Sequence, residues 1–399
     1  MVCESTTFNW AVLAFNLWNQ CNLWIGFGRY VQFDIKFKRT YDERFHVCTT
    51  ALRHGFVSLM AAGRIISIHP TYGIPGGEVV IDCADYDTSD PAACAAWFGD
   101  EVAPIVALSP RRVLAIIPES KQTGEVEVRL QSDSNRTEPV SFTVGRKLAG
   151  DLHPVSNPAF DPDDGALFVT RSGSRGEQLP VTLFRIDVGG EVSEFSGDIT
   201  NPTAIAFAHD GQMYVSSRLD GIVYKVTPFK EAVEFARNLG VATGVAFDSD
   251  GEMYVGDRTG TIHRVNGIGE EKNWAELEPS VSAYHLAFGQ DDNLYVTGPT
   301  VTSFDCIWRV DHEGKVDIFF KGLGRPQGLA FDRAGNLYVA ASLRGRRGIV
   351  RITPAGDAEI VVAGVNLVGL AFSAAGDLVA VSIDSVYSLP MGIKGTLLS

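Results

Sequence analysis

Ala206-Phe207-x-x-Asp210-Gly211-x-Met213-Tyr214-Val215 returns as Ala246-Phe247-x-x-Asp250-Gly251-x-Met253-Tyr254-Val255. It recurs as Ala287-Phe288 with Leu294-Tyr295-Val296, and as Ala330-Phe331 with Gly335-Asn336-Leu337-Tyr338-Val339. Degenerate copies stand at either end, Ala159-Phe160 with Leu167-Phe168-Val169 and Ala371-Phe372 with Leu378-Val379-Ala380. The six phenylalanines lie 47, 40, 41, 43 and 41 residues apart. Each copy places two apolar strands around an Asp/Ser/Gly turn, the chemistry of a tight hairpin. Units of about forty residues cannot bury an apolar face alone and must stack on their neighbours. Six of them predict a six-bladed β-propeller over residues 151–399, one four-stranded blade per unit. Ser385–Leu389 and Lys394–Leu398 are expected to form the outer strands of the sixth blade. Asp161, Asp163 and Asp164 read as hairpin residues, because no complete D-x-D-x-D-G calcium loop with its bidentate Glu occurs.

Upstream of the repeat, residues 60–147 read as short strands divided by Pro70, Gly73, Pro75-Gly76-Gly77, Pro110 and Pro118. The apolar runs are Ile65–Ile68, Val79–Cys83, Val102–Leu108, Val113–Ile117, Val126–Leu130 and Val140–Val144. Some eighty residues with that many strands suit an immunoglobulin-like sandwich. The fold class expected is therefore all-β, a sandwich followed by a propeller. Residues 1–59 differ from both. They hold Trp10, Trp18 and Trp24 and carry six basic against four acidic side chains in a chain whose formal charge is −14. Ala11–Phe27 is apolar but broken by Asn16, Asn19, Gln20 and Asn22, unlike a membrane span or a signal peptide. Two expectations stand for this segment: that translation starts at Met60, or that residues 1–59 form a small N-terminal element.

The 34 basic and 48 acidic side chains argue against a general binder of nucleic-acid backbone. An apolar fraction of 45% with 21% charged residues argues against disorder and against a multispan membrane protein. Six cysteines without C-x-x-C or paired spacing are expected to be reduced structural thiols, in a cytoplasmic protein. In a meander, the segment before each Ala-Phe strand and the segment after each Tyr-Val strand share one face. The first set contains Asn157, Thr203, Thr243, His285, Gln327 and Val368; the second contains Arg171, Arg218, Asp257, Arg258, Ser342 and Arg344, with Arg325 close to Gln327. So many arginines in an acidic chain predict a funnel for an anionic or carbonyl-rich ligand, since guanidinium forks take carboxylate or phosphate in bidentate fashion. The alternative is a solvated rim of arginines paired with neighbouring Asp. The run Arg344-Gly-Arg346-Arg347-Gly348 reads as a solvated basic turn.

Two family resemblances follow from particular residues. Ile68-x-Pro70, Gly73-x-Pro75-Gly76-Gly77-x-Val79, Phe98-Gly99 with Ala103-Pro104, Ala115-x-Ile117-Pro118, Gly124-x-Val126-x-Val128 and Val140-x-Phe142-x-Val144 resemble the IPT/TIG domain in order and over its whole length. The sequence departs from that family at Cys83-Ala84-Asp85, where a Gly-rich turn is common. The resemblance implies a spacer or interaction module. Pro326-x-Gly328-Leu329-Ala330-Phe331-Asp332 with Gly335-Asn336-Leu337-Tyr338-Val339-Ala340 resembles NHL repeats and, more broadly, the gluconolactonase/regucalcin-like propellers over residues 151–399. In lactonases of that family a divalent cation sits at the channel mouth on Glu, Asn and Asp and activates water. Here the matching positions read Ser156-Asn157-Pro158, Thr203, Thr243, His285 and Pro326-Gln327-Gly328, without the carboxylates. A hard cation held by neutral oxygens alone lacks its usual anchor.

The reading that results is a non-catalytic binding or scaffold propeller, with Asn157, Arg171, Arg218, Thr243, Asp257, Arg258, Gln327 and Arg344 as ligand-binding candidates. Its partner is expected to be a small anionic or carbohydrate-derived ligand or a protein, with neither nucleic acid nor membrane and no cofactor. The enzyme alternative is a gluconolactonase-like hydrolase of a cyclic ester, either dependent on calcium or zinc at a degenerate site or acting on an unsaturated or cyclic ester through His285 as catalytic residue. A third class is an NHL-type propeller that docks RNA or protein.

Overall fold

The phenylalanine and tyrosine of successive repeats meet each other across neighbouring sheets in the computed structural model. It describes residues 63–396 apart from 120, 134 and 302–304. Residues 1–59, with the Met60 expectation, lie outside the described residues. Tyr214 packs on Phe247 with ring centroids 5.5 Å apart, Tyr254 on Phe288 at 5.1 Å, Tyr295 on Phe331 at 4.8 Å and Tyr338 on Phe372 at 5.0 Å. Phe168 meets Phe207 at 5.8 Å in the same way. The second strand of each of blades 1–5 thus presses its aromatic ring on the first strand of the next. Such tilted or edge-on pairs add about 1 kcal/mol beyond area burial. This contact explains the forty-residue period.

Six four-stranded antiparallel sheets result. Blade 1 comprises Ala159–Phe160, Leu167–Thr170, Leu183–Ile186 and Val192–Ser196. Blades 2 and 3 start at Pro202–Phe207 and Ala242–Phe247, and blades 4 and 5 at His285–Phe288 and Leu329–Phe331. Blade 6 starts at Leu367–Phe372 and continues with Leu378–Ser382 and Val386–Leu389. The hairpin turns carry the expected chemistry: Asp248 Oδ1 accepts from the amides of Asp250 and Glu252, and its Oδ2 accepts from the buried Tyr254 hydroxyl. Asp332 does the same for Ala334, Asn336 and Tyr338. Asp161 and Asp164 likewise accept from the amides of Asp163 and Ala166.

The outer strand of blade 6 departs from the expectation. Arg146–Ala149, from upstream of blade 1, pairs antiparallel with Val386–Leu389 and closes the ring. The boundary expected near residue 150 therefore falls after a strand the ring owns. Lys394–Thr396 instead runs to blade 5, where the Arg333 amide donates to Lys394 O at 2.9 Å and the Thr396 amide to Phe331 O at 3.0 Å. The N-terminal strand supplies the fourth strand of the last blade and covers the outer edge of Val386–Leu389.

Two further antiparallel sheets face each other upstream. One orders Arg64–His69, Glu78–Ala84, Arg112–Ile116 and Ile105–Ser109; the other runs from Val140–Val144 through Gly124–Ser132 and Cys94–Phe98 to Glu101–Ala103. Val79, Ile81 and Ala115 of the first pack on Phe98, Val128, Leu130 and Phe142 of the second. The run expected at Val102–Leu108 is two strands, because Pro104 has no amide to donate and the chain changes sheets there. Cys94–Phe98 is a strand that the apolar pattern did not mark. Tyr72–Gly73 pairs in parallel with Val140–Val144 on one side and with blade 5 at Val362 and Ala363 on the other. Sandwich and ring are thereby hydrogen-bonded to each other.

Candidate functional site: the shaft and the arginine rim

Counting back from each inner-strand phenylalanine aligns two columns at the end of the shaft where inner strands begin. Four residues before it stand Ser156, Thr203, Thr243, Tyr284, Gln327 and Val368; three before it stand Asn157, Ala204, Gly244, His285, Gly328 and Gly369. The expected lead-in set mixed the two columns, placing Asn157 and His285 beside residues one step further out.

The difference is physical. Glycine at 328 and 369 lets the blade 1 lead-in approach blades 5 and 6. A Cβ on Gly328 would lie 1.9 Å from Asn157 Oδ1, and one on Gly369 2.5 Å from Ser156 O. Through this gap Asn157 Nδ2 donates to Leu329 O at 2.8 Å, and its Oδ1 accepts from the Leu370 amide at 3.0 Å. Ser156 Oγ lies 3.2 Å from Nδ1 of His285, on the opposite blade, and His285 Nε2 lies 3.2 Å from Gln327 Oε1. The tautomer that satisfies both contacts carries its proton on Nε2. His285 is 1% exposed, and burial pushes its pKa down to about 4. It is a neutral strut, held away from water.

Hydroxyls stitch the same end of the ring. Thr170 Oγ1 donates to Thr203 O, Ser216 Oγ to Thr243 O, and Thr297 Oγ1 to Gln327 O, each from one blade to the next. Thr243 Oγ1 donates to Gly256 O and accepts from the Tyr284 amide. Among the described residues no group of three or more His, Cys, Asp and Glu converges. Asp257 accepts from the amides of Val241 and Thr259 and from the Thr259 hydroxyl; Asp305 accepts from the amides of Thr300 and Arg325. These two acids are spent largely on backbone amides and Asn157 on the backbone of Leu329 and Leu370, while His285 is held between Ser156 and Gln327. These residues do not fit a divalent cation.

The arginines behave differently. Among the described residues the ion pairs involve Arg112, Arg129, Arg185, Arg237, Arg264, Arg309, Arg351 and His312. None involves Arg171, Arg218, Arg258, Arg325 or Arg344, so pairing with neighbouring Asp does not describe this rim. Arg171, Arg218 and Arg258 follow the second strands of blades 1, 2 and 3. Arg218 is half-buried, and its Nη2 donates to Gly173 O at 3.3 Å. Burial, and then the charge of Arg258, lower its pKa. Asn201 holds the adjoining loop by donating to Gly173 O and Ser174 O and accepting from the Gly176 amide. Arg171 Nε and Ser172 Oγ are buried there without a partner. Arg344 lies on blade 5, opposite blade 2 in the ring, and does not join this group. The sequence reading also missed Ser156 and Asn201; counting from the repeated phenylalanine marks the first, and nothing in the repeat marks the second.

No protein-family model matches the chain, and no match arises among curated proteins. Its fold is similar to that of a gluconolactonase assigned from its protein family, at 16% identity and a TM-score of 0.52 over 63% of this chain and 93% of that one. It also resembles an auxiliary nutrient binding protein from Bacteroides thetaiotaomicron, at 15% identity and a TM-score of 0.49 over 82% and 98%. Virginiamycin B lyase from Staphylococcus aureus aligns at 17% identity and a TM-score of 0.45 over 62% and 87%. At these identities the likeness is one of fold. Among the described residues no helix is long and apolar enough to cross a membrane.

Proposed function

We propose that this chain is a binding propeller that breaks no bond and takes a small anionic or carbohydrate-derived ligand at the rim of blades 1–3. One observation carries the reading: the half-buried Arg218 guanidinium feels the charge of Arg258, and neither is in an ion pair among the described residues. Two like charges, one partly desolvated, are costly together, and an oxyanion between them relieves both terms. Arg171 lies on the neighbouring blade, within the same arc. The hydrolytic alternative asks His285 to meet water and substrate, against an exposure of 1% and two hydrogen-bond partners. In this reading the residues from 60 to the closing strand Arg146–Ala149 form an IPT/TIG-like spacer that holds the propeller, in a cytoplasmic setting. Calorimetric titration with inorganic phosphate, citrate and glucuronate tests it. Arg218→Ala and Arg258→Ala should each weaken the bound anion about tenfold, the loss of ~1.4 kcal/mol from one charge-assisted contact. Unchanged affinity in both variants rejects the site.

A further inference from the structure

We propose that the blade 5 hairpin around Arg344 and Gly345 is a docking surface for an acidic, extended peptide segment of a partner protein. Between residues 318 and 356 the chain carries seven basic side chains against one acid, Asp332, although its net charge is −14. Asp332 is committed to its own turn and to Tyr338. The fold gathers Arg325, Arg344, Arg346 and Arg347 at one end of this blade, none of them in an ion pair among the described residues. Arg325, Arg344 and Arg347 are exposed; Arg346 is half-buried, with Nη1 buried and unpartnered.

The hairpin is built to stand out. Its strands, Leu337–Leu343 and Arg346–Ile352, have 7 residues each, whereas the second strands of the other blades have 4 or 5. Two extra residues raise the tip by roughly 7 Å. Leu323 and Gly324 of blade 4 pair with Leu343 and Ser342 and buttress it, while the Gly364 amide, next to the sandwich junction, donates to Arg347 O. The tip is therefore presented on a rigid support. Its two-residue loop needs positive φ at both positions, 52° at Arg344 and 84° at Gly345. Asn, Asp or Gly is the usual occupant of the first. Arg325 also has a φ of 48°, and of the eleven described non-glycine residues with positive φ, only Arg325, Arg344 and Lys230 are not Asp, Asn or His. Backbone preference thus does not select arginine at these two places, and the side chains are what the surface offers.

The class of partner follows from the same geometry. Exposed guanidiniums without enclosing walls hold a single small anion weakly, because water and salt screen the contact. Several carboxylates on one chain engage several of them together. Leu343–Gly348 contains no aromatic side chain on which bases would stack, which disfavours single-stranded nucleic acid. The acidic remainder of the molecule repels the same partner elsewhere and confines it to this end.

Fluorescence anisotropy with a labelled oligoglutamate peptide tests the proposal, with an oligouridylate RNA and inorganic phosphate as competitors. The expected result is salt-sensitive peptide binding that the Arg344→Glu/Arg347→Glu double variant weakens by at least about tenfold. Both side chains are exposed, and an unchanged melting temperature checks that the fold survives. Arg218→Ala should leave peptide binding as it is, which separates this surface from the rim of blades 1–3. Absence of peptide binding, equal binding by the double variant, or tighter binding of the RNA overturns the proposal.

Discussion

His285 and Asn157 show how single side chains tie separate blades together at one end of the ring. The folded protein holds the His285 pKa near 4, below its ordinary 6.5, so the unfolded chain takes up the proton first as pH falls. Its contribution to stability is complete above 6.5 and is withdrawn between 6.5 and about 4. The amount is on the order of 3 kcal/mol. Burial shifts His263 in the same direction. Urea unfolding as a function of pH should therefore be steeper between 6.5 and 4 for the wild type than for His285→Gln; identical slopes would refute the strut. Asn157→Ala leaves the Leu329 carbonyl and the Leu370 amide without their partner and should cost about 2 kcal/mol in the same measurement. Gly369→Ala drives a methyl group into backbone atoms of Ser156 and Asn157 and should cost at least as much.

At the scale of the element, ring closure rests on Arg146–Ala149. Lys147 sits opposite Tyr387, and proline there removes an amide and strains the short strand against Val386–Leu389. Lys147→Pro should lower the melting temperature by several degrees, as expected of a loss of about 3 kcal/mol in a chain of this size. The same change at exposed Lys121, outside any strand, should leave it nearly unchanged. The inner strands were legible in advance because Phe and Tyr recur in contact positions. The closing strand was not, since its partner in the ring lies more than two hundred residues away and nothing local in Arg146–Ala149 distinguishes it from the sandwich before it.

For the whole molecule, Tyr72–Gly73 and Arg146–Ala149 place hydrogen-bonded strands of the upstream segment against blades 5 and 6. Such continuity should make sandwich and ring one cooperative unit. Native-state hydrogen exchange should give the amides of Val128 in the sandwich and Val255 in blade 3 a common free energy of global opening. Separate openings would show that the two parts unfold independently. The arginines make the complementary point about function. Their number was visible in the sequence, and they were expected to form one ring-shaped funnel. The structure divides them into an arc on blades 1–3 and a projecting hairpin on blade 5.

The all-β class, the six units and the role of the turn aspartates could be read from residues alone, because each depends on contacts repeated at a fixed spacing. The contacts of Asn157 and His285 across the ring, the pairing of the last blade with an upstream strand and the lack of ion pairs at the rim among the described residues depend on which distant residues come within hydrogen-bond reach. Asn157, His285 and Gln327 acquire their roles only when the ring closes and brings three blades to one axis. A linear pattern records periodicity, and proximity across a closed ring exists only in the folded chain.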